Sequence, residues 1–306
     1  MGADAVLLVA FGGPTRPEEI RPFLAAVTRG RNVPAARLDA VARHYEAIGG
    51  RSPLNELTLR QARKLAETLA ATGLALPVHV GFRNAEPSIA DALARMAADG
   101  VRRALGIILA PHASEASRDR YIERADEARA ALGPRAPDIR WLDGWHTHPL
   151  FVTAVADATI AALVTVPAAR RARTPLVFTA HSIPRAMAER SPYVAEITAS
   201  ARAVADRLGR ADWRIAYQSR SGNPGEPWLE PDVGDVLREL AAGGATNVIV
   251  VPVGFVADHV EVLYDLDVDA RGTARELGLD FVRASTVNDH PLFIRMLAEL
   301  VADAAG

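Results

Sequence analysis

Short apolar runs alternate with longer amphipathic stretches along most of the 306-residue sequence. Continuous apolar runs that are separated by helical patterns are typical of parallel β-sheets covered by helices on both faces. Such strand–helix units can close into a single TIM barrel or form two doubly wound halves. The predicted strands occupy residues 5–11, 78–82, 104–110, 139–142, 176–181, 213–218, 246–253 and 281–284.

Two features favour two halves over one barrel. The gap between the first two strands is about 65 residues, and a segment near the midpoint (166–174) is rich in Pro, Ala and Arg. We therefore predict an α/β fold with two Rossmann-like domains, each a four-stranded parallel sheet flanked by helices, with a cleft between them. The N-terminal domain is predicted at residues 1–147 and the C-terminal domain at residues 148–288. A last helix, 289–305, is expected to pack on the N-terminal domain.

Three carboxylates follow the strand predicted at 246–253. A Pro-Gly turn leads into a helix on which Glu261, Asp265 and Asp269 are spaced four residues apart. This spacing places the three side chains on one helical face, where like charges repel by about 0.2–0.5 kcal/mol per pair. One interpretation is a solvated helix face. The interpretation that we favour is a path for a divalent metal ion, which would offset the repulsion.

His181 ends another predicted strand, and Pro184 then holds the chain in a turn. Ligands of open α/β sheets bind beyond the carboxyl ends of the strands, which is where His181 and Glu261 are expected. A histidine and a carboxylate can bind a metal ion or move protons, whereas a purely structural histidine is the alternative. Asp258 is predicted to cap the N-terminus of the helix that carries Glu261.

Composition and charge argue against several classes of function. A net charge of -2 gives no electrostatic reason to expect a nucleic-acid partner. No apolar run reaches about 18 residues, and no basic leader precedes the first strand, so neither a transmembrane segment nor a signal peptide is expected. No Walker motif or G-x-G-x-x-G fingerprint is present. The sequence has 0 cysteines, so a cysteine-bound iron–sulfur cluster is not expected and the cytoplasm is the expected location.

Several motifs together resemble those of the ferrochelatases, which insert ferrous iron into a porphyrin. The resemblance runs from Leu7 to about Leu300. Its motifs are FGGP at 11–14, HYEAIGGRSP at 44–53, AHSIP at 180–184, YQS at 217–219, PWLEP at 227–231 and PVGFVADHVE at 252–261. Their number and order make a chance match improbable, and the last motif is close to diagnostic.

The resemblance implies a porphyrin cleft between two Rossmann-like domains and a set of residues around iron. His181 and Glu261 are the implied catalytic residues, on opposite walls that face the centre of the macrocycle. Either His181 or Glu261 could bind iron first, and His181 could instead accept a pyrrole proton. Asp265 and Asp269 continue the implied metal site along a partly π-wound helix.

The resemblance also implies a substrate, and the bacterial branch that it points to uses coproporphyrin III. The residues implied to bind the porphyrin are Phe11, Arg29, His44, Ser52 and Tyr121. Arg29 lies in a basic run, 28–31, whose guanidinium groups suit carboxylates, although a solvated surface is the alternative. Some family members have Tyr at position 11 and Arg at position 44. Phe11 cannot ligate iron, so axial coordination from that side is in doubt.

The implied reaction uses Fe²⁺ as a substrate and requires no permanently bound cofactor. Transient contacts with other enzymes of haem biosynthesis are the expected protein partnerships. Four alternatives stay open: a protoporphyrin IX ferrochelatase, a chelatase that inserts cobalt or nickel into a more reduced tetrapyrrole, a tetrapyrrole- or haem-binding protein without turnover, and a periplasmic-type two-domain binding protein.

Overall fold

Eight strands form two separate four-stranded sheets in the computed structural model, which describes residues 2–30, 33–221 and 225–305. Each strand ends within two residues of its predicted bounds. Arg31, in the predicted basic run, lies outside the described residues. The strands are β1 (Ala5–Ala10), β2 (Val78–Phe82), β3 (Arg103–Ile108), β4 (Asp138–Trp141), β5 (Leu176–His181), β6 (Trp213–Gln218), β7 (Asn247–Val251) and β8 (Asp280–Arg283).

Helices connect the strands, and most carry one apolar face. They are α1 (Ile20–Val27), α2 (Ala35–Ala47), α3 (Leu54–Ala71), α4 (Ile89–Ala98), α5 (Arg120–Leu132), α6 (Pro149–Thr165), α7 (Ala168–Arg171), α8 (Arg185–Glu189), α9 (Tyr193–Arg207), α10 (Val233–Ala242), α11 (Val260–Leu263), α12 (Arg271–Glu276) and α13 (Pro291–Ala305). Two stretches are π-wound, Glu115–Asp119 before α5 and Asp265–Ala270 between α11 and α12.

Both sheets have the same doubly wound topology. The strand orders are β2-β1-β3-β4 and β6-β5-β7-β8, and all neighbouring strands run parallel. Val6 pairs with Val78 on one side and Leu105 on the other, and Leu176 pairs in the same way with Trp213 and Ile249. The two sheets confirm the prediction of two four-stranded halves over a single barrel.

The chain divides into two compact units. Unit 1 comprises residues 1–110, 116–143 and 293–306, and unit 2 comprises residues 111–115 and 144–292. The predicted bounds of two folding domains, 1–147 and 148–288, and the cleft between them stay predictions. No helix in the described part of the chain is both long enough and apolar enough to cross a membrane.

In unit 1, the sheet is buried between helical layers. All six residues of β1 are buried, as expected for the central strand of a parallel sheet. On one face, Leu93 and Met96 of α4 pack against β1. Ser88 caps α4 by accepting a hydrogen bond from the backbone of Asp91, whose carboxylate in turn accepts one from the Ser88 backbone. The last helix, α13, belongs to the same unit, where Arg140 donates to the carbonyl of Ala304 at 3.3 Å.

In unit 2, the core forms in the same way around β5 and β7, which are both buried. Val236 and Leu237 of α10 pack with Val250 of β7. The π-wound stretch contributes Leu266 to this cluster, so it is anchored on its inner side. Because Leu266 is buried, the backbone of the stretch is held in place. The residues that follow Leu266 can then point towards solvent.

A buried histidine, His112, also belongs to unit 2. Its Nε2 donates to the hydroxyl of Ser200 at 2.9 Å, because that hydroxyl itself donates to the carbonyl of His146 at 2.8 Å. Burial, with a smaller contribution from the nearby His146, lowers the pKa of His112 to about 3. His112 is therefore neutral in the folded protein, whereas the unfolded chain protonates it near its ordinary pKa of about 6.5.

His112 should make the stability of the protein depend on pH. Its folded pKa lies below its unfolded pKa, so the unfolded state binds more protons and stability is lost as pH falls from about 6.5 towards about 3. Between pH 7.5 and 5.5, His112 should account for about 1.4 kcal/mol of that loss. Urea unfolding of wild type and His112→Asn at both pH values gives the stability loss of each protein. The difference between the two losses is the contribution of His112. An equal loss in both proteins would contradict the prediction.

Candidate active site

His181 and Glu261 contact each other beyond the carboxyl ends of neighbouring strands. His181 is the last residue of β5, and Glu261 lies in α11, the first helix after β7. The distance from His181 Nε2 to Glu261 Oε1 is 3.3 Å. The expectation that these side chains face each other from opposite walls is therefore wrong. They share one wall because β5 and β7 are adjacent in the same sheet.

Gly254 allows this close approach. Its backbone N–H donates to the carbonyl of Thr179 at 3.0 Å, so the turn after β7 lies directly against β5. A Cβ at position 254 would lie 2.6 Å from the Cβ of Ala180, which is far inside van der Waals contact. Only glycine fits at this position, and the close approach helps to bring Glu261 to His181.

The hydrogen bonds of His181 define its protonation. Its Nδ1 donates to the carbonyl of Ser182, which leaves Nε2 facing the carboxylate of Glu261. Burial disfavours the imidazolium, but the charge and the hydrogen bond of Glu261, the carbonyl of Ser182 and the charge of Asp265 together outweigh burial and raise the pKa of His181 to about 9. Burial also disfavours the carboxylate of Glu261, yet His181 lowers its pKa to about 2. Without substrate, the pair is an imidazolium–carboxylate ion pair near neutral pH.

The π-wound stretch carries the other two predicted carboxylates. The carbonyl of Tyr264 accepts from the N–H groups of Val268 and Asp269, at 2.9 and 3.0 Å, so the helix widens here. Asp269 is exposed, whereas Asp265 and Glu261 are half-buried. The three side chains thus follow one another from solvent towards His181.

Asp265 is held by Ser219, the residue after β6. Ser219 has a φ of 63°, an uncommon conformation for a residue with a side chain, and its hydroxyl donates to the carboxylate of Asp265. Burial raises the pKa of Asp265 to about 7, and Glu261 acts in the same direction, whereas Ser219 opposes the shift. A cation that approached Asp265 would favour its ionised form.

The four predicted metal ligands do not form a ready-made cage. Among the described residues, no three or more His, Asp or Glu side chains are grouped as a metal site. His181, Glu261, Asp265 and Asp269 instead form a row that ends at one ion pair. Their roles towards iron therefore stay predictions. A row of this kind suits an ion in transit better than an ion held permanently.

Arg283, at the end of β8, fixes the backbone on both sides of Glu261. Its guanidinium lies 3.3 Å from the carboxylate of Asp258 and 2.8 Å from that of Asp267. Asp258 also accepts from Thr286 at 3.1 Å, and the N-cap position of α11 is His259. The prediction that Asp258 caps this helix is wrong, because its side chain is engaged by partners distant in sequence.

Two further buried side chains, Gln218 and Tyr193, hold the backbone of Glu261 and His181. Neither was predicted as a site residue. The amide of Gln218 donates to the backbone carbonyl of Glu261, and the hydroxyl of Tyr193 donates to the backbone carbonyl of His181 at 3.0 Å. The sequence signal for Gln218 was the YQS motif at 217–219. Tyr193, the first residue of α9, lies in none of the motifs.

The five predicted substrate-binding residues all belong to unit 1. Tyr121 and Ser52 are buried, Phe11 and His44 are partly buried, and Arg29 is exposed. Phe11 directly follows β1, His44 lies in α2 and Tyr121 in α5, and Arg29 and Ser52 lie in the connections after α1 and before α3. Their roles towards the porphyrin stay predictions.

Some of these side chains are linked through aromatic contacts. The Phe11 ring meets Phe23 edge-on at 6.3 Å, and Phe23 meets Tyr45 at 6.0 Å. Tyr45 is the neighbour of His44 on α2. These contacts connect the loop after β1 to the helix that carries His44.

Comparison with known proteins agrees with this geometry. The sequence model of the family described as Ferrochelatase matches residues 3–305. The chain belongs to the ferrochelatase family. This result confirms the resemblance carried by the sequence motifs and assigns the chain to a family of metal chelatases.

Curated relatives span nearly the whole chain. A protein from Nocardia farcinica named coproporphyrin III ferrochelatase is 46% identical over 311 residues, covering 99% of this chain and 88% of the relative. A protein of the same name from Mycobacterium avium is 47% identical, covering 98% of this chain and 88% of the relative. A Rhodopirellula baltica protein named ferrochelatase is 41% identical and covers 99% of this chain.

Solved structures confirm the chelatase fold. SirB from Bacillus subtilis, solved with Fe³⁺, matches with a TM-score of 0.58 and covers 99% of this chain and 95% of its own. CbiX, described as the terminal enzyme of sirohaem biosynthesis in denitrifying bacteria, matches with a TM-score of 0.54, covering 99% and 100%. Their identities, 14% and 17%, limit the comparison to the fold.

Proposed function

We propose that this ferrochelatase-family protein inserts ferrous iron into coproporphyrin III to give coproheme. The observation that carries the proposal is the His181–Glu261 ion pair at 3.3 Å, with Asp265 and Asp269 in a row behind it. The relatives from Nocardia and Mycobacterium that are named coproporphyrin III ferrochelatases support the choice of porphyrin.

The reaction exchanges two protons for one metal ion. Two pyrrole nitrogens lose their protons as Fe²⁺ binds all four ring nitrogens, so two protons must leave the site. In the ion pair, His181 is already protonated and cannot accept another proton. We propose that Fe²⁺ arrives along Asp269 and Asp265, and that its positive charge displaces the proton from His181 to solvent. The neutral imidazole then binds the ion, while the carboxylate of Glu261 accepts the two pyrrole protons in turn and releases each to solvent.

Porphyrin binding would involve unit 1. Arg29 can bind a propionate through charge-assisted hydrogen bonds, and the hydroxyls of Ser52 and Tyr121 can donate to others. A ring nitrogen of His44 can donate a hydrogen bond to a propionate. Phe11 offers an apolar contact for the macrocycle. Bending the flat ring towards a metal-accepting shape would cost about 1–5 kcal/mol, which these remote contacts can supply.

The proposal is tested by anaerobic absorbance with Fe²⁺ and either coproporphyrin III or protoporphyrin IX. Loss of the free-porphyrin bands with coproporphyrin, at catalytic protein concentration, is the expected result. Faster turnover of protoporphyrin IX would indicate the other ferrochelatase reaction. Spectral shifts at stoichiometric protein without turnover would indicate a tetrapyrrole-binding protein. Turnover only with Co²⁺ or Ni²⁺ and a reduced tetrapyrrole would indicate a different chelatase.

The proposal also includes a cytoplasmic location and transient contact with enzymes that supply the porphyrin or take up the product. Cell fractionation and cross-linking during haem synthesis would test these two points.

Replacing Asp269 with alanine should slow the delivery of iron. Asp269 is the exposed first member of the row, so its loss weakens attraction of Fe²⁺ without touching the porphyrin. At subsaturating Fe²⁺, we expect the rate to fall about threefold to tenfold at low salt and less at high salt. Steady-state kinetics measures this effect. Asp280→Ala, which removes an exposed carboxylate at the start of β8, is the matched control and should change the rate little.

Replacing Arg29 with alanine should weaken porphyrin binding. We expect the KM for coproporphyrin to rise about tenfold, because one charge-assisted hydrogen bond to a propionate is lost. Arg21→Ala on α1, an exposed arginine paired with Asp39 at 2.7 Å, serves as the control. An unchanged KM in Arg29→Ala would show that Arg29 does not bind a propionate.

A further inference from the structure

Arg83, the residue after β2, lies between the rings of two predicted substrate-binding residues. Its guanidinium carbon is 5.4 Å from the ring centre of Phe11 and 5.3 Å from that of Tyr121. Guanidinium groups stack favourably on aromatic faces, and such stacking sets the plane of the group. Phe11 and Tyr121 are thus connected through one cation.

The backbone around Arg83 is fixed as well. The N–H of Arg83 donates to the carbonyl of Ala10 at 2.9 Å, and the N–H of Asn84 donates to the carbonyl of Phe11 at 3.0 Å. One guanidinium nitrogen, Nη1, donates to the carbonyl of Ala116 at 3.3 Å. Arg83 is therefore oriented before any ligand arrives, which lowers the entropy cost of binding one.

Arg83 lines a cavity of about 500 Å³ within unit 1. Arg29, Arg120 and Arg124 line the same cavity, and its acidic lining residues are Glu86, Glu123 and Glu127. Glu127 is paired with Arg124 at 2.9 Å. With Arg83, four arginines and three glutamates line the cavity, and the excess positive charge suits a carboxylate.

We propose that Arg83 binds a propionate of the tetrapyrrole, with its plane set by Phe11 and Tyr121 and with Arg29 as a second cation in the same cavity. This inference rests on the proposed function, because it requires a porphyrin substrate. It gives Phe11 a role that does not depend on touching iron. The ring of Phe11 holds the guanidinium in the orientation that a carboxylate requires. Arg83 was not among the residues predicted from the sequence to bind substrate.

The first test measures porphyrin binding without metal. Quenching of coproporphyrin III fluorescence gives Kd for wild type, Arg83→Ala, Arg83→Lys and the control Arg21→Ala, an exposed arginine that does not line the cavity. We expect Arg83→Ala to raise Kd about tenfold, Arg83→Lys to raise it less, and Arg21→Ala to leave it within about twofold. The kcat at saturating porphyrin should stay within about threefold in the control. Circular dichroism and urea unfolding check that each variant is folded.

The second test is a double-mutant cycle with Phe11→Leu. If Phe11 acts by orienting Arg83, Phe11→Leu raises Kd in the wild-type background and has little further effect in Arg83→Ala. Additive effects would overturn the orienting role of Phe11. An unchanged Kd in a folded Arg83→Ala, with normal wild-type turnover, would overturn the inference alone. Failure of wild type to bind any porphyrin would overturn the proposed function together with the inference.

Discussion

We expect that replacing His181 with alanine abolishes iron insertion while unit 2 keeps its fold. His181 is partly exposed and packs at a strand end, so its removal creates no buried cavity. The variant loses the imidazole that faces Glu261, which is the proposed iron ligand and the partner of the proposed proton acceptor. We expect kcat to fall by at least about 100-fold, because Glu261 then lacks the partner that it needs for acid–base chemistry. Anaerobic absorbance assays with Fe²⁺ and coproporphyrin III measure this loss.

A matched control separates chemistry from stability. His290→Ala removes another partly exposed histidine of unit 2, which lies 3.8 Å from Asp157. This variant should keep near wild-type turnover, and both variants should unfold in urea close to the wild-type midpoint. Porphyrin Kd should change little in His181→Ala. Near-normal turnover by a folded His181→Ala would show that the central assignment is wrong.

Replacing Arg283 with alanine lowers the free energy of unfolding by about 3–5 kcal/mol. The side chain of Arg283 is only 12% exposed and is paired with Asp258 and Asp267. Its loss leaves two partly buried carboxylates near each other without their shared cation. Asp267 lies in the π-wound stretch between Asp265 and Asp269, so the damage should extend to the row of carboxylates.

The exposed pair Arg238–Asp235, at 2.8 Å on α10, provides the control for this prediction. Arg238→Ala should cost less than about 1 kcal/mol, because solvent screens exposed ion pairs. Arg283→Lys should fall between wild type and Arg283→Ala, since lysine keeps the charge but cannot bridge both carboxylates with a planar fork. Urea unfolding monitored by circular dichroism gives all three values. A loss below about 1 kcal/mol in Arg283→Ala would contradict the argument.

Local patterns in the sequence predicted the secondary structure well. The strand predictions succeeded because each buried parallel strand is a short, continuous apolar run, and such runs do not depend on distant residues. The Glu261, Asp265 and Asp269 row followed from four-residue spacing within a single segment. The π-winding of that segment came only from the family resemblance, since an i, i+4 pattern does not distinguish an α-helix from a wider one.

Contacts between distant segments were harder to predict. The sequence indicated that His181 and Glu261 lie at strand ends, but not that β5 and β7 are neighbours whose ends bring them together. The prediction that Asp258 caps α11 was wrong for the same reason. Capping is a local interaction, and Arg283 at the end of β8 competes for the same carboxylate more strongly.

The sequence by itself determined the fold class, the strand positions and the residue types of the site. Periodicity and spacing are properties of one segment, so they can be read directly from the chain. Only the tertiary structure decided which of these residues meet: the ion pair of His181 and Glu261, the two carboxylates shared by Arg283, and the position of Arg83 between two rings. These contacts depend on strand order and on the close approach of separate segments, which no single segment encodes.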